Sequence, residues 1–206
     1  MLKILGRVTS INVRKVLWVL DELGIAYERE DWGLPLRDPK VPEFLKLNPN
    51  GQVPVLVEDG FVLWESGAVM RYLSKHEGGA LMPSDSRQRA IADQWLTWQA
   101  TELSPHWVYP LQALVRKNPA FNDSEKLAKA LADWTAKMRI LENQLAGSGS
   151  FATGERFTLA DIALGVSVHR WFETPFERPD LPAVRAYYDR LRTRPAAEPY
   201  LTAATP

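Results

Sequence analysis

Three short segments combine hydroxyls, carboxylates and free backbone amides in patterns suited to chemistry. In Asn50-Gly51-Gln52-Val53-Pro54-Val55 a proline directly precedes a β-like run, where it cannot donate to a ladder and so marks a strand start or edge. A cis Val53–Pro54 bond would turn the Val53 N–H and C=O outward, able to pair with the main chain of a peptide-like ligand. The plainer reading is a turn into a hairpin. Trp64-Glu65-Ser66-Gly67-Ala68 leaves a strand and enters a helix. Ser66 at the N-cap satisfies an orphan amide, and the same hydroxyl with its free helix amides can hold a carboxylate. Glu65 beside it suits an ammonium, so the two together suit an α-amino acid head group. Thr9-Ser10-Ile11-Asn12-Val13-Arg14 lies between a strand and a helix. There Ser10 or Asn12 either caps the helix or offers a hydrogen bond to a bound anion.

Other chemistries lack their residues. His76, His106 and His169 show neither the i, i+4 spacing of a metal pair nor a recognisable partner set for a hydrolase triad, so no metal is expected. No phosphate-cradling glycine motif occurs. The chain has no cysteine, which removes disulfides, thiolate metal sites and a cysteine nucleophile together. With 25 basic and 25 acidic side chains the net charge is zero, so nothing electrostatic recommends nucleic acid or an anionic membrane as partner. No apolar run approaches the ~20 residues of a membrane span. With no signal-peptide pattern at Met1 to Ser10, the expected location is cytoplasmic.

The elements that must position these residues fall into two sets. Leu2 to Leu5 reads as a strand, Asn12 to Leu23 as a helix stopped by Gly24, and Ala26 to Arg29 as a second strand. A loop with Pro35, Pro39 and Pro42 leaves room only for a short helix near Glu43 to Leu47. Val55-Leu56-Val57 and Phe61-Val62-Leu63 flank Glu58-Asp59-Gly60 and predict a hairpin, and Ser66 to His76 predicts a helix. The order βαβ, short helix, ββα is a small mixed sheet with helices packed on it. Beyond Gly79 to Ser84 only helical patterns remain: Ser86 to Val115 with apolar positions that include Ile91, Trp95 and Trp98, Leu127 to Leu145, Phe157 to Trp171, and Leu181 to Leu191. Thr158 and Asp161 form a capping box with Asp in the third position, flanked by Phe157 and Ile162 as a hydrophobic staple. That reading is structural. The class is α/β plus all-α, with domains at residues 1–80 and 86–206.

In their order and separations, Ser10-Ile11-Asn12-Val13-Arg14, Asn48-Pro49-Asn50-Gly51-Gln52-Val53-Pro54, Trp64-Glu65-Ser66 and Phe157-Thr158-Leu159-Ala160-Asp161 resemble the cytosolic glutathione S-transferases. The similarity is to the bacterial serine-type, theta-like branch. It implies a thioredoxin-like N-terminal domain, an all-helical C-terminal domain and a homodimer. Glutathione is the implied co-substrate: Val53 before cis Pro54 pairs with its cysteinyl part, Glu65 and Ser66 hold the γ-glutamyl head, and Gln52 adds a polar contact. Ser10, with Asn12 as the alternative, is implied as the donor to the thiolate, which attacks a small apolar electrophile. The absence of cysteine excludes the branches that use one at the activating position. The electrophile pocket is expected between the domains, on the aromatic stretch Trp95, Trp98, Glu102, His106, Trp107 and Tyr109. His106, Trp107 and Tyr109 are preferred because Pro105 and Pro110 should break the helix there. The same site in a dehalogenase, lyase or peroxidase, and a non-enzymatic binding protein, stand as alternatives.

Overall fold

The structure, a computed structural model, describes residues 1–76 and 78–201. The chain divides into two compact units, Met1–Met82 and Pro83–Pro206. Unit one opens with β1 (Leu2–Leu5), α1 (Ile11–Leu23) and β2 (Glu28–Glu30), then α2 (Pro42–Leu45), β3 (Val55–Glu58), β4 (Phe61–Trp64) and α3 (Ser66–His76). The sheet order is β2-β1-β3-β4. β1 runs parallel to β2 and antiparallel to β3, and β3 is antiparallel to β4. This is the expected βαβ-ββα unit.

Its apolar residues explain the layers. Val13, Val16, Leu17 and Leu20 of α1 are buried, as are Val69, Met70 and Leu73 of α3, and the two helices pack on each other. Phe44 of α2 joins Leu5, Trp32 and Val55 in a second cluster. The β3–β4 turn places Asp59 and Gly60 both at positive φ, the pattern a two-residue hairpin loop needs. β2 lies later than its apolar residues suggest. Its sequence, Glu-Arg-Glu, is an exposed charged edge in which Lys3 pairs with Glu30 at 2.7 Å. The second helix starts at Pro42, one residue before Glu43, because proline fits the first helical turn.

Unit two contains α4 (Ser86–Trp98), α5 (Val108–Pro110), α6 (Ser124–Ser148), α7 (Leu159–Glu173), α8 (Pro182–Arg192) and α9 (Glu198–Leu201). The helical stretch over Ser86 to Val115 is not one regular helix. After Trp98 the chain takes a π-helical turn at Gln99–Leu103, a 3₁₀ turn at Ser104–Trp107, and a second π turn at Leu111–Val115. Pro105 and Pro110 lack the N–H a regular helix needs, and both breaks surround them. Of the stretch's apolar residues Ile91 is exposed, while Trp95 is buried. α6 starts at Ser124 because Asp123 accepts from the Glu125 and Lys126 amides, and it runs through Ser148, three residues beyond the expected end at Leu145. The capping box at α7 is formed: the Thr158 amide donates to Asp161 Oδ2 at 2.8 Å. Among the described residues no helix is long and apolar enough to cross a membrane.

Candidate active site

In unit one, three chain ends meet around the N-terminus of α1. Gly6 closes β1, and a Cβ there would stand 2.4 Å from Val13 Cγ2 and 3.3 Å from Val53 Cβ. Only glycine lets the end of β1, the first turns of α1 and the Gln52–Pro54 segment come this close. The second convergence is between helices. Ser66, the first residue of α3, donates from Oγ to Asn12 Oδ1 at 3.4 Å, and Asn12 is the second residue of α1. Two helix N-termini therefore face one place, and neither has an acidic residue in its first turn. The positive dipole end of each favours an anion.

Ser10 occupies the N-cap of α1 with extended backbone (φ −81°, ψ 124°), and its carbonyl accepts from the Arg14 amide. Its hydroxyl makes no capping hydrogen bond. The side chain that would ordinarily close the helix is left to point elsewhere.

The Val53–Pro54 bond is cis. The β1–β3 ladder ends at the Leu5–Val55 pair, which leaves Val53 just beyond the sheet. Asn48, 3% exposed, holds this turn from behind: its Nδ2 donates to the Gln52 carbonyl at 2.8 Å and its Oδ1 accepts from the Asn50 amide at 3.0 Å. Lys40 Nζ donates to the Asn50 carbonyl at 2.7 Å. Gly51 sits at φ +58°, where a Cβ would meet the Pro39 carbonyl at 2.9 Å. Sequence reasoning left out Asn48 and Lys40 as supports of this turn. Asn48 carried a signal, a turn-forming residue ahead of Pro49 and Asn50; Lys40 carried none.

Glu65 adopts φ +70°, the left-handed region that a side chain ordinarily avoids. Its carbonyl accepts from the Val69 amide, so Glu65, not Ser66, stands at the cap of α3. The expectation that Ser66 satisfies an orphan helix amide is thus corrected: the Ser66 hydroxyl turns to Asn12. The Glu65 side chain is exposed, and among the described residues its carboxylate accepts no hydrogen bond. A non-glycine residue held in that conformation costs about 1–3 kcal/mol.

The preferred pocket residues are all in unit two. Trp107 is 4% exposed, with its ring packed edge-on against Trp134 and Arg170 above it. Tyr109 packs on Phe121, and its hydroxyl accepts from the Asp123 amide at 3.2 Å. His106 is half-buried in the 3₁₀ turn. Nearby, Lys137 binds Glu102 at 2.6 Å and holds its carboxyl below the usual range. Among the described residues, no group of three or more His, Asp or Glu is placed to hold a metal ion.

Residues 1–75 match the glutathione S-transferase N-terminal domain, and residues 117–190 match the family's C-terminal domain. A curated relative, glutathione S-transferase GstB of Escherichia coli (strain K12), is 33% identical over 95% of both chains. The chain belongs to the glutathione S-transferase family. Glutathione transferase is accordingly its enzymatic class. Within the family, the solved theta-class enzyme of Xanthomonas axonopodis pv. citri, a structure with glutathione bound, is 38% identical over 99% of each chain with a TM-score of 0.93. A relative with another name, disulfide-bond oxidoreductase YfcG of Escherichia coli (strain K12), is 28% identical over 90% of this chain and 87% of its own. Membership of the family and the thioredoxin-like plus helical fold agree with the sequence-based expectation.

Proposed function

We propose that this glutathione transferase binds glutathione in unit one and ionises its thiol against the Ser10 hydroxyl. One observation carries the reading: the N-termini of α1 and α3 meet, joined by the Ser66–Asn12 contact, with an uncommitted hydroxyl at Ser10. The γ-glutamyl carboxylate goes to Ser66 and the α3 amides, and its ammonium to Glu65. The Val53 backbone pairs with the cysteinyl unit, Gln52 adds a polar contact, and Pro54 fixes the turn. The Ser10 hydroxyl then donates to the sulfur, with the α1 dipole behind it. The thiol proton leaves to solvent. Lowering the thiol pKa by one to two units corresponds to about 1.4–2.8 kcal/mol of preference for the thiolate.

The thiolate attacks an electrophilic carbon; the carbon–sulfur bond forms as the leaving group departs with its electron pair. The enzyme contributes position and desolvation. A small apolar electrophile is read onto the broken helix of unit two, with His106 and Tyr109 at the wall and Trp107 as the buried backing. A homodimer and a cytoplasmic location complete the proposal.

Two measurements test it. Calorimetry with glutathione should show a binding heat, and conjugation of an activated aryl halide should follow a pH profile set by the bound thiol. Ser10→Ala should move that profile to higher pH. An unmoved profile with unchanged rate removes Ser10 from the mechanism.

The similarity to an oxidoreductase supports a second reading on the same site. The thiolate attacks a disulfide and a second glutathione resolves the mixed disulfide, releasing oxidised glutathione and two thiols. Since the chain has no cysteine, both sulfurs must come from glutathione. Turnover of a small disulfide, set beside aryl halide conjugation, separates the two.

A further inference from the structure

Asn12 is the alternative to Ser10 as the group that meets the sulfur, but among the described residues its side chain is met from the other direction, by Ser66 on α3. The consequence follows from counting protons. A serine hydroxyl has one proton and two lone pairs. With its proton given to Asn12 Oδ1, Ser66 shows only lone pairs to the site, and lone pairs cannot hold a carboxylate. Yet Ser66, 9% exposed at the start of α3, has its helix amides positioned for an anion. The contradiction resolves within the asparagine. Its amide carries an acceptor on one side and two donors on the other, and which side faces the hydroxyl is set by the network around it. A half-turn of that amide lets Nδ2 donate to Ser66 Oγ and releases the serine proton for a bound anion.

We propose that Asn12 is a positioning residue that acts through Ser66: its amide turns when glutathione binds, hands the Ser66 proton to the γ-glutamyl carboxylate, and leaves the sulfur to Ser10. The inference rests on the glutathione site proposed above and assigns Asn12 a place within it. It explains the geometry at both ends. Asn12 is exposed, and among the described residues its side chain is held only by the long bond to Ser66, so the amide can rotate. Alanine has neither partner for the hydroxyl. Aspartate has only acceptors, so it fixes the Ser66 proton in the wrong direction and adds a negative charge beside the carboxylate.

Calorimetry of the full-length protein with glutathione and two analogues tests this. One analogue, 4-aminobutyryl-cysteinyl-glycine, keeps the ammonium and lacks the carboxylate; the other, glutaryl-cysteinyl-glycine, keeps the carboxylate and lacks the ammonium. Asn12→Ala should raise Kd about tenfold for glutathione and for the glutaryl compound. For the aminobutyryl compound it should leave Kd unchanged. Asn12→Asp should cost about a hundredfold or more. Asn12→Ala added to Ser66→Ala should cost nothing further. In Asn12→Ala the thiolate absorbance of the bound peptide should titrate at the wild-type pH. Equal penalties on both analogues, or a titration shifted upward in Asn12→Ala, overturns the inference and puts Asn12 on the sulfur. Wild-type protein that gives no heat with glutathione overturns the site reading beneath it, a result distinct from either.

Discussion

Of the carboxylates that stand at helix starts in this chain, those of α7 and α3 live opposite lives. Asp161, at the third position of α7, is fully buried and accepts four hydrogen bonds: from the Ala152 amide (2.8 Å), the Thr158 amide (2.8 Å), the Thr158 hydroxyl (3.0 Å) and the Tyr187 hydroxyl (3.0 Å). It ties the 149–156 loop, its own helix and α8 together. Glu65, at the cap of α3, is exposed, sits in left-handed backbone, and among the described residues its carboxylate accepts no hydrogen bond. A carboxylate with every lone pair committed stabilises a fold. One held out on an unfavourable backbone, with no hydrogen bond among the described residues, costs stability, and the proposed glutathione site gives it an ammonium to meet. The contrast sets a structural acid against a proposed binding acid.

The largest effect should come from Asp161→Ala. Removing it leaves the Ala152 and Thr158 amides buried without acceptors, at about 1–3 kcal/mol each. Urea unfolding should show a loss of about 3–5 kcal/mol, while the molecules still folded bind glutathione as before. A small loss would mean water replaces the carboxylate. Glu65→Gly should do the reverse. Glycine tolerates positive φ, so stability should rise by about 1 kcal/mol, while glutathione affinity should fall about 30-fold through loss of the ammonium partner. Weak binding without added stability would show that the Glu65 backbone is not a cost.

Ser10→Ala should come next, and it touches stability least of the three because the hydroxyl makes no capping bond. The midpoint of the bound thiol should rise by about one pH unit, and the neutral-pH rate should fall about tenfold. The smallest effect concerns the sign of pH dependence at two caps. Burial raises the Asp161 carboxyl above its ordinary range, so its contribution to stability is greatest below that range and is lost as pH rises through the raised value. Asp123 is lowered, chiefly by the Lys126 amide it accepts from at the start of α6. Its contribution is present above the ordinary carboxylate range and is lost on acidification through the lowered value. Stability against pH, measured for Asp161→Asn and Asp123→Asn, should therefore depart from wild type with opposite slopes. Equal slopes would remove the distinction between a buried and an exposed cap.

The capping box was legible because it is local: a hydroxyl and a carboxylate three residues apart at the start of an apolar helix leave few alternatives. The hairpin was legible for the same reason, through Asp59-Gly60. The broken helix after Trp98 was only half legible. Pro105 and Pro110 announce a break, yet the π turns that carry it begin at Gln99, six residues before Pro105, where no local signal stands. Glu65 and Ser66 were identifiable as a pair, but their roles at the helix start were exchanged. Which of two neighbours caps α3 depends on where α1 lies, and α1 is more than forty residues away in sequence.

Sequence alone determined the parts that depend on neighbours: the two-part organisation, the strand and helix types, and the absence of any thiol of the protein's own; it also singled out the three segments proposed to meet a peptide ligand. The absence of cysteine means that any reactive sulfur must arrive with that ligand. Tertiary structure decided what depends on meeting. It brought the starts of α1 and α3 together and gave the Ser66 proton to Asn12. It packed Trp107 behind the broken helix and placed Asn48 and Lys40 behind the Gln52–Pro54 turn. The physical reason is the same throughout. Backbone preference and hydrophobic period act over a few residues, whereas a hydrogen bond between two helix ends exists only once the core between them has been packed.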